Sequence, residues 1–289
     1  VDHIKRRDLL DLLALGAIWG ASFLFMRIAV PQFGAVPMAA TRVAAGAAFL
    51  LPLLLMKGGF LPLAGRLPQL FVLALATQTV PFALFAYASA HLPAGTSAIL
   101  NATVPLFGAL IGAVAFSTAL KPRAIAGLIC GFCGVVLLIL NRGSGPAIAA
   151  SLYPVLACLA ASLCYGFAAN FARLHFNRID PIATTTGSQL ISIGLLAPFA
   201  LANLPAANPN LLAWGCVMVL GILCTAIAYL IYYRLIHNAG PTFTMSVTYL
   251  VPMFGVIWSA LLLHEAITPV MLLSGGIILA GVALTIQPS

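Results

Sequence analysis

Residues Val104–Ile139 read VPLFGALIGAVAFSTALKPRAIAGLICGFCGVVLLI, and residues Val251–Ile286 read VPMFGVIWSALLLHEAITPVMLLSGGIILAGVALTI. Aligned without a gap, eleven of the thirty-six positions are identical. The matches include the opening Val-Pro-x-Phe-Gly, a loop proline (Pro122 and Pro269) and a closing Gly-Val-x-Leu that begins at Gly134 and Gly281. Each stretch is a pair of apolar runs folded about a turn, too apolar to face water. A helical hairpin written twice marks an internally duplicated membrane bundle, and that architecture serves transporters above all.

Composition fits a lipid solvent. The 289 residues are 63% apolar and 6% charged, whereas a water-soluble domain carries roughly 25% charged residues. The five acids are Asp2, Asp8, Asp11, Asp180 and Glu265. Apolar runs between breakers predict ten spans, at about 9–29, 35–56, 68–90, 94–117, 122–141, 149–172, 181–203, 210–236, 241–263 and 268–286. Each is near the 20 residues needed to cross a hydrocarbon core of about 30 Å. The breakers include Pro31, Gly58-Gly59, Pro93, Gly143 to Pro146, Asp180-Pro181 and Gly240-Pro241. No loop is long enough to form a domain, so function must lie inside the bundle. The first run is too long for a signal-peptide core, and no small-residue cleavage site follows it. It reads as a retained helix.

With the N-terminus in the cytoplasm, ten basic residues lie inside: Lys5, Arg6, Arg7, Lys57, Arg66, Lys121, Arg123, Arg173, Arg178 and Arg234. Arg27, Arg42 and Arg142 lie outside. That bias is a topology signal, and the even span count returns the C-terminus to the cytoplasm. The net charge of +8 is scattered over short segments, so no nucleic-acid face is expected. The six cysteines all fall in spans. Cys130-Gly-Phe-Cys133 has no histidine or acid near it in sequence, and reads as packing. No metal site, cofactor or catalytic set is visible, so the chain does not read as an enzyme. A channel reading lacks a filter loop.

The repeat runs past the hairpin. Trp19-Gly20 and Arg27 match Tyr165-Gly166 and Arg173, and Pro37 matches Pro181. Residues 1–145 and 146–289 are therefore read as five-helix halves of one transmembrane domain. Five is odd, so the halves cross in opposite directions, and the site is expected between them near the midplane. The predicted fold class is an all-α membrane protein of ten transmembrane helices built as two inverted five-helix repeats.

Ala17-Ile18-Trp19-Gly20-Ala21-Ser22-Phe23, Arg42, and the hairpin from Pro252-x-Phe254 to His264-Glu265 resemble motifs of the drug/metabolite transporter superfamily, in its EamA-type ten-helix family. The look is closest to exporters of amino acids, aromatic ones included. The likeness covers nearly the whole chain. It departs from the pattern where His264 stands in place of the usual glycine, and where the first half has Ser117-Thr118 in place of His264-Glu265. The resemblance implies a bacterial inner-membrane, multi-pass exporter of small organic solutes.

Polar side chains in a span are costly and tend to face the bundle interior. Span four carries Ser97, Asn101, Pro105 and Gly108 on one helical stripe, and span nine repeats it as Thr244, Thr248, Pro252 and Gly255. Span three offers Gln78, Phe82 and Phe85, matched by Thr225, Tyr229 and Tyr232 in span eight. Span one offers Trp19. The candidate substrate-binding set is Trp19, Gln78, Asn101, Tyr229, Tyr232 and Thr248. Interhelical hydrogen bonding, without a substrate, is the alternative for these polar groups. Pro105 and Pro252 are candidate hinges, because each frees a carbonyl. Leu138 is taken to face lipid. No acid sits near a span centre, which favours facilitated diffusion or exchange by alternating access over a proton-coupled efflux carrier. The expected partners are a small-molecule substrate, an amino acid or similar metabolite, and the lipid bilayer. No oligomer is indicated.

Overall fold

The structure, a computed structural model, describes residues 5–117, 119–140 and 146–286. Over those residues it is helical, with no strand. The helices are α1 (Arg6–Phe33), α2 (Ala35–Met56), α3 (Leu67–His91), α4 (Ala94–Phe116), α5 (Pro122–Leu140), α6 (Pro146–His175), α7 (Pro181–Ala202), α8 (Leu211–Pro241), α9 (Val247–Leu263) and α10 (Pro269–Ile286). Among the described residues, the first eight carry runs long and apolar enough to cross a membrane, and α9 and α10 are shorter apolar helices. These are the ten expected spans. Residues 141–145, with Arg142 and the junction between the halves, and Thr118 lie outside the described residues.

The chain breaks where its residues require it. Gly34 takes φ 77° between α1 and α2, and Gly240 takes φ 83° at a kink near the end of α8, a region that glycine enters without steric cost. Asp180 caps α7 by accepting from the Ile182 N–H at 2.7 Å, with Pro181 as the first helical residue. Pro205 and Pro209 punctuate the turn between α7 and α8.

The halves match in backbone detail. α2 and α7 both have 22 residues and carry a proline at the same place, Pro52 and Pro198. Ala35 therefore pairs with Pro181, two residues from the Pro37–Pro181 match expected from sequence. α3 contains a π-helical turn at Leu75–Thr79, and α8 contains one at the corresponding Ile222–Ile227.

Glycines join the halves. A methyl group on Gly20 of α1 would sit 2.8 Å from the Gly255 nitrogen of α9. One on Gly166 of α6 would sit 2.6 Å from the Gly108 nitrogen of α4. Gly166 is the repeat mate of Gly20, and Gly108 that of Gly255, so one backbone-on-backbone crossing occurs twice with the halves exchanged. α5 and α10 cross in the same manner, Gly134 against the Ser274 carbonyl and Gly281 against the Gly131 nitrogen. Such small-residue contacts replace the hydrophobic drive that helices lack in lipid. Leu138, expected to face lipid, is 5% exposed, because α5 turns that face toward α10.

Ion pairs tie the ends. Arg27 lies 3.5 Å from Glu265 and donates to the Ser89 and Ala90 carbonyls. Glu265 also accepts from the Ala94 N–H at 2.8 Å and from the Ser259 hydroxyl. Arg234 pairs with Asp11 at 2.5 Å, and Lys57 lies 3.6 Å from Asp180.

Candidate functional site

A cavity of about 220 Å³ lies where the two halves meet. α1 supplies Trp19, Ser22, Phe23 and Met26, α2 supplies Arg42, α3 supplies Phe82 and Phe85, and α4 supplies Asn101 and Val104. The second half adds Tyr165 from α6, Cys224, Thr225 and Tyr229 from α8, and Val247, Thr248 and Val251 from α9. α1, α3, α6 and α8 approach near their middles, and α9 contributes its first two turns. Small-molecule clefts begin at about 300 Å³, so this volume suits a small organic solute.

Rings set the shape of the wall. Trp19 meets Tyr229 edge-on at 6.1 Å and Tyr232 at 5.4 Å. Phe85 stands edge-on to Phe23 at 5.5 Å and stacks on Tyr165 at 5.9 Å. These are favourable aromatic geometries, and they hold one another in place. Polar groups are few: the side chains of Asn101, Thr248, Ser22 and Thr225, the polar ends of Trp19, Tyr165 and Tyr229, and one cation.

Four of the six expected binding residues, Trp19, Asn101, Tyr229 and Thr248, come together on this wall. Tyr232 does not line it and instead packs against Trp19. Gln78 is 2% exposed, off the wall, and its Oε1 has no hydrogen-bond partner. It lies within the π-turn of α3, and the extra residue of that turn takes it off the stripe of Phe82 and Phe85.

The expected hinges lie in different settings. α4 breaks at Ala102-Thr103, just before Val104-Pro105. The Leu100 carbonyl at the break accepts from the Thr103 hydroxyl at 2.7 Å and from the Ser162 hydroxyl of α6 at 3.3 Å. Pro252 lies inside α9, and the turn on its N-terminal side is at Met245-Ser246.

Arg42 corrects the sequence reading. Counted there among the outer charges, though early within span two, it faces the bundle interior. It lies seven residues into α2, about 10 Å along the helix, and is 6% exposed. Its Nε donates to the Thr225 hydroxyl at 3.1 Å, its Nη1 approaches the Met26 sulfur at 3.8 Å, and its guanidinium carbon lies 3.8 Å above the Phe82 ring. Tyr165, noted in the sequence only as the repeat mate of Trp19, stacks on Phe85 in the same wall.

The EamA-like transporter family matches the chain twice, over residues 9–140 and 152–287. A transporter of Archaeoglobus fulgidus is 28% identical over 93% of both chains. The inner membrane transporter YedA of Escherichia coli K12 is 26% identical over 94% of this chain and 88% of its own. A probable terminal-alkyne amino-acid exporter of Streptantibioticus cattleyicolor is 24% identical over 92% of this chain and 89% of its own. A solved crystal structure with 20% identity superposes with a TM-score of 0.67, over 97% of this chain and 96% of that one.

Proposed function

The chain belongs to the EamA-like transporter family, and we propose that it exports small organic solutes, foremost amino acids with apolar or aromatic side chains and related metabolites. The observation that carries this reading is the small aromatic cavity between the halves, with Asn101 and Thr248 as polar fixing points. Largely apolar walls with a few placed polar groups are what small-molecule sites use. The relative named as an amino-acid exporter supports the substrate class.

Transport is alternating access, with residues 1–145 rocking against 146–289 about the glycine crossings. Among the described residues no acid lines the cavity, which supports facilitated diffusion or exchange driven by the solute's own gradient. The protein sits in a bacterial inner membrane with both termini in the cytoplasm.

Flux of aromatic amino acids in proteoliposomes tests the site. Trp19→Ala and Tyr229→Ala are expected to cut flux at least about tenfold, the loss of one or two good contacts at about 1.4 kcal/mol per decade. Leu261→Ala, on a lipid-exposed position of α9 (62% exposed), is expected to leave flux unchanged. Neutral cavity variants beside a damaging Leu261→Ala would place the site elsewhere.

A further inference from the structure

We infer that Arg42 anchors a carboxylate and that the preferred solutes are organic monoanions with an apolar or aromatic tail. This rests on the cavity being the substrate site and narrows what that site accepts. The guanidinium has five donors. In the structure it meets one hydroxyl (Thr225), one thioether (Met26) and the face of one ring (Phe82). None of the three ion pairs among the described residues includes it. Glu265, Asp180 and Asp11 are held by other cations at the rims, and Asp8 accepts from the Lys5 N–H at 3.0 Å. Among the described residues the chamber therefore has a fixed positive charge and no counter-charge.

An arginine stays ionised in this setting, and an unpaired buried cation is costly. A carboxylate on the solute supplies the missing partner in the bidentate geometry that the guanidinium fork matches. A monoanion leaves the loaded chamber neutral. A zwitterion also brings an ammonium, a second cation for which no acid is present among the described lining residues, and the chamber stays charged. A free amine meets only neutral partners, the oxygens of Asn101 and Thr248 and the faces of Trp19 and Tyr229, each a weaker interaction than an ion pair. Within the class of amino acids and their relatives, the structure assigns preference to members whose amine is acylated or absent.

Four probes of one shape test this on the purified full chain in lipid nanodiscs: 3-phenylpropionate, phenylalanine, 3-phenylpropionamide and phenethylamine. Affinity measured by calorimetry is expected to favour the propionate over its amide by about tenfold to a hundredfold, the range for hydrogen bonds to a charged group. The propionate should also exceed phenylalanine, and the amine should bind weakest. Arg42→Gln should bring propionate and amide within about twofold, and Arg42→Lys should retain part of the preference. Because Arg42→Gln removes an unpaired charge, the ligand-free variant should melt at or above the wild-type temperature.

Equal affinity of wild type for propionate and amide overturns the assignment, as does phenylalanine binding as tightly as the propionate. A preference surviving Arg42→Gln, or a large fall in the ligand-free melting point, also overturns it, the latter making Arg42 structural. Equal binding of all probes that Trp19→Ala abolishes defeats only the charge rule. Binding of none, or binding indifferent to Trp19→Ala, defeats the cavity reading as well.

Discussion

Ser117 and His264 hold the same left-handed backbone conformation, φ 53° and ψ 29°, at the same position of the two halves. Each ends a helix, and each turns its N–H back to a carbonyl five residues earlier, Gly112 in one half and Ser259 in the other. Left-handed residues other than glycine are strained by roughly 1–2 kcal/mol, and a helix end of this shape ordinarily takes glycine. Neither half has one here.

Replacing His264 or Ser117 by glycine is therefore expected to stabilise the protein by about 1 kcal/mol, since relief of left-handed strain outweighs the entropy that glycine loses on folding. Thermal unfolding in detergent would show a higher midpoint for each. His264→Val should lower the midpoint, because a β-branched residue fits φ 53° least well. A fall on both glycine substitutions would mean that the side chains hold the turns.

Glu265 ties three elements on one face of the bundle. It caps the first turn of α4 at the Ala94 N–H, meets the Ser259 hydroxyl, and pairs with Arg27, which in turn binds the carbonyls ending α3. Glu265→Ala is expected to cost about 1–2 kcal/mol, as for a lost N-terminal cap. Glu265→Gln, which keeps an acceptor for Ala94, should cost less. This carboxylate lies at the rim, so a pH step alone should not concentrate solute in proteoliposomes, with or without Glu265→Gln. Accumulation driven by pH and lost in Glu265→Gln would make this residue a proton carrier and overturn the diffusion or exchange reading.

Reporter fusions check orientation. Fusions after Arg66 and Arg178 should report cytoplasm, and one in the loop 203–209 should report the outside. The expectation follows from the ten-to-three basic bias, and moving Arg42 into the bundle leaves that bias standing, because ten inside residues remain. A cytoplasmic signal from the 203–209 loop would contradict the orientation.

The ten helices and their duplication were legible because hydropathy and breakers act locally, and Pro93, Asp180 and Gly240 interrupt the chain wherever it lies. The cavity was legible where helices are regular. Asn101 and Thr248 sit on stripes whose spacing holds, and Trp19 is central in α1. Gln78 was misjudged because a π-turn breaks the 3.6-residue period on which the stripe argument depends, and one sequence carries no plain mark of such a turn. Arg42 was misjudged because a lone arginine near the start of a span looks like a flanking charge. Its partner Thr225 is 183 residues away, and the fold alone brings them together. Tyr232 has the right period but lies one step around the helix from Tyr229, where Trp19 covers it.

The length of α1 has a consequence for the surrounding lipid. α1 has 28 residues, or about 42 Å at 1.5 Å per residue, longer than a hydrocarbon core of about 30 Å. Its first two turns carry Arg6, Arg7, Asp8 and Asp11, so that end stands among the headgroups, where Asp11 is paired with Arg234 of α8. Headgroup charge thus acts on this protein through the start of α1, and an anionic leaflet would compete with Asp11 for Arg234 before it touched the rest of the bundle.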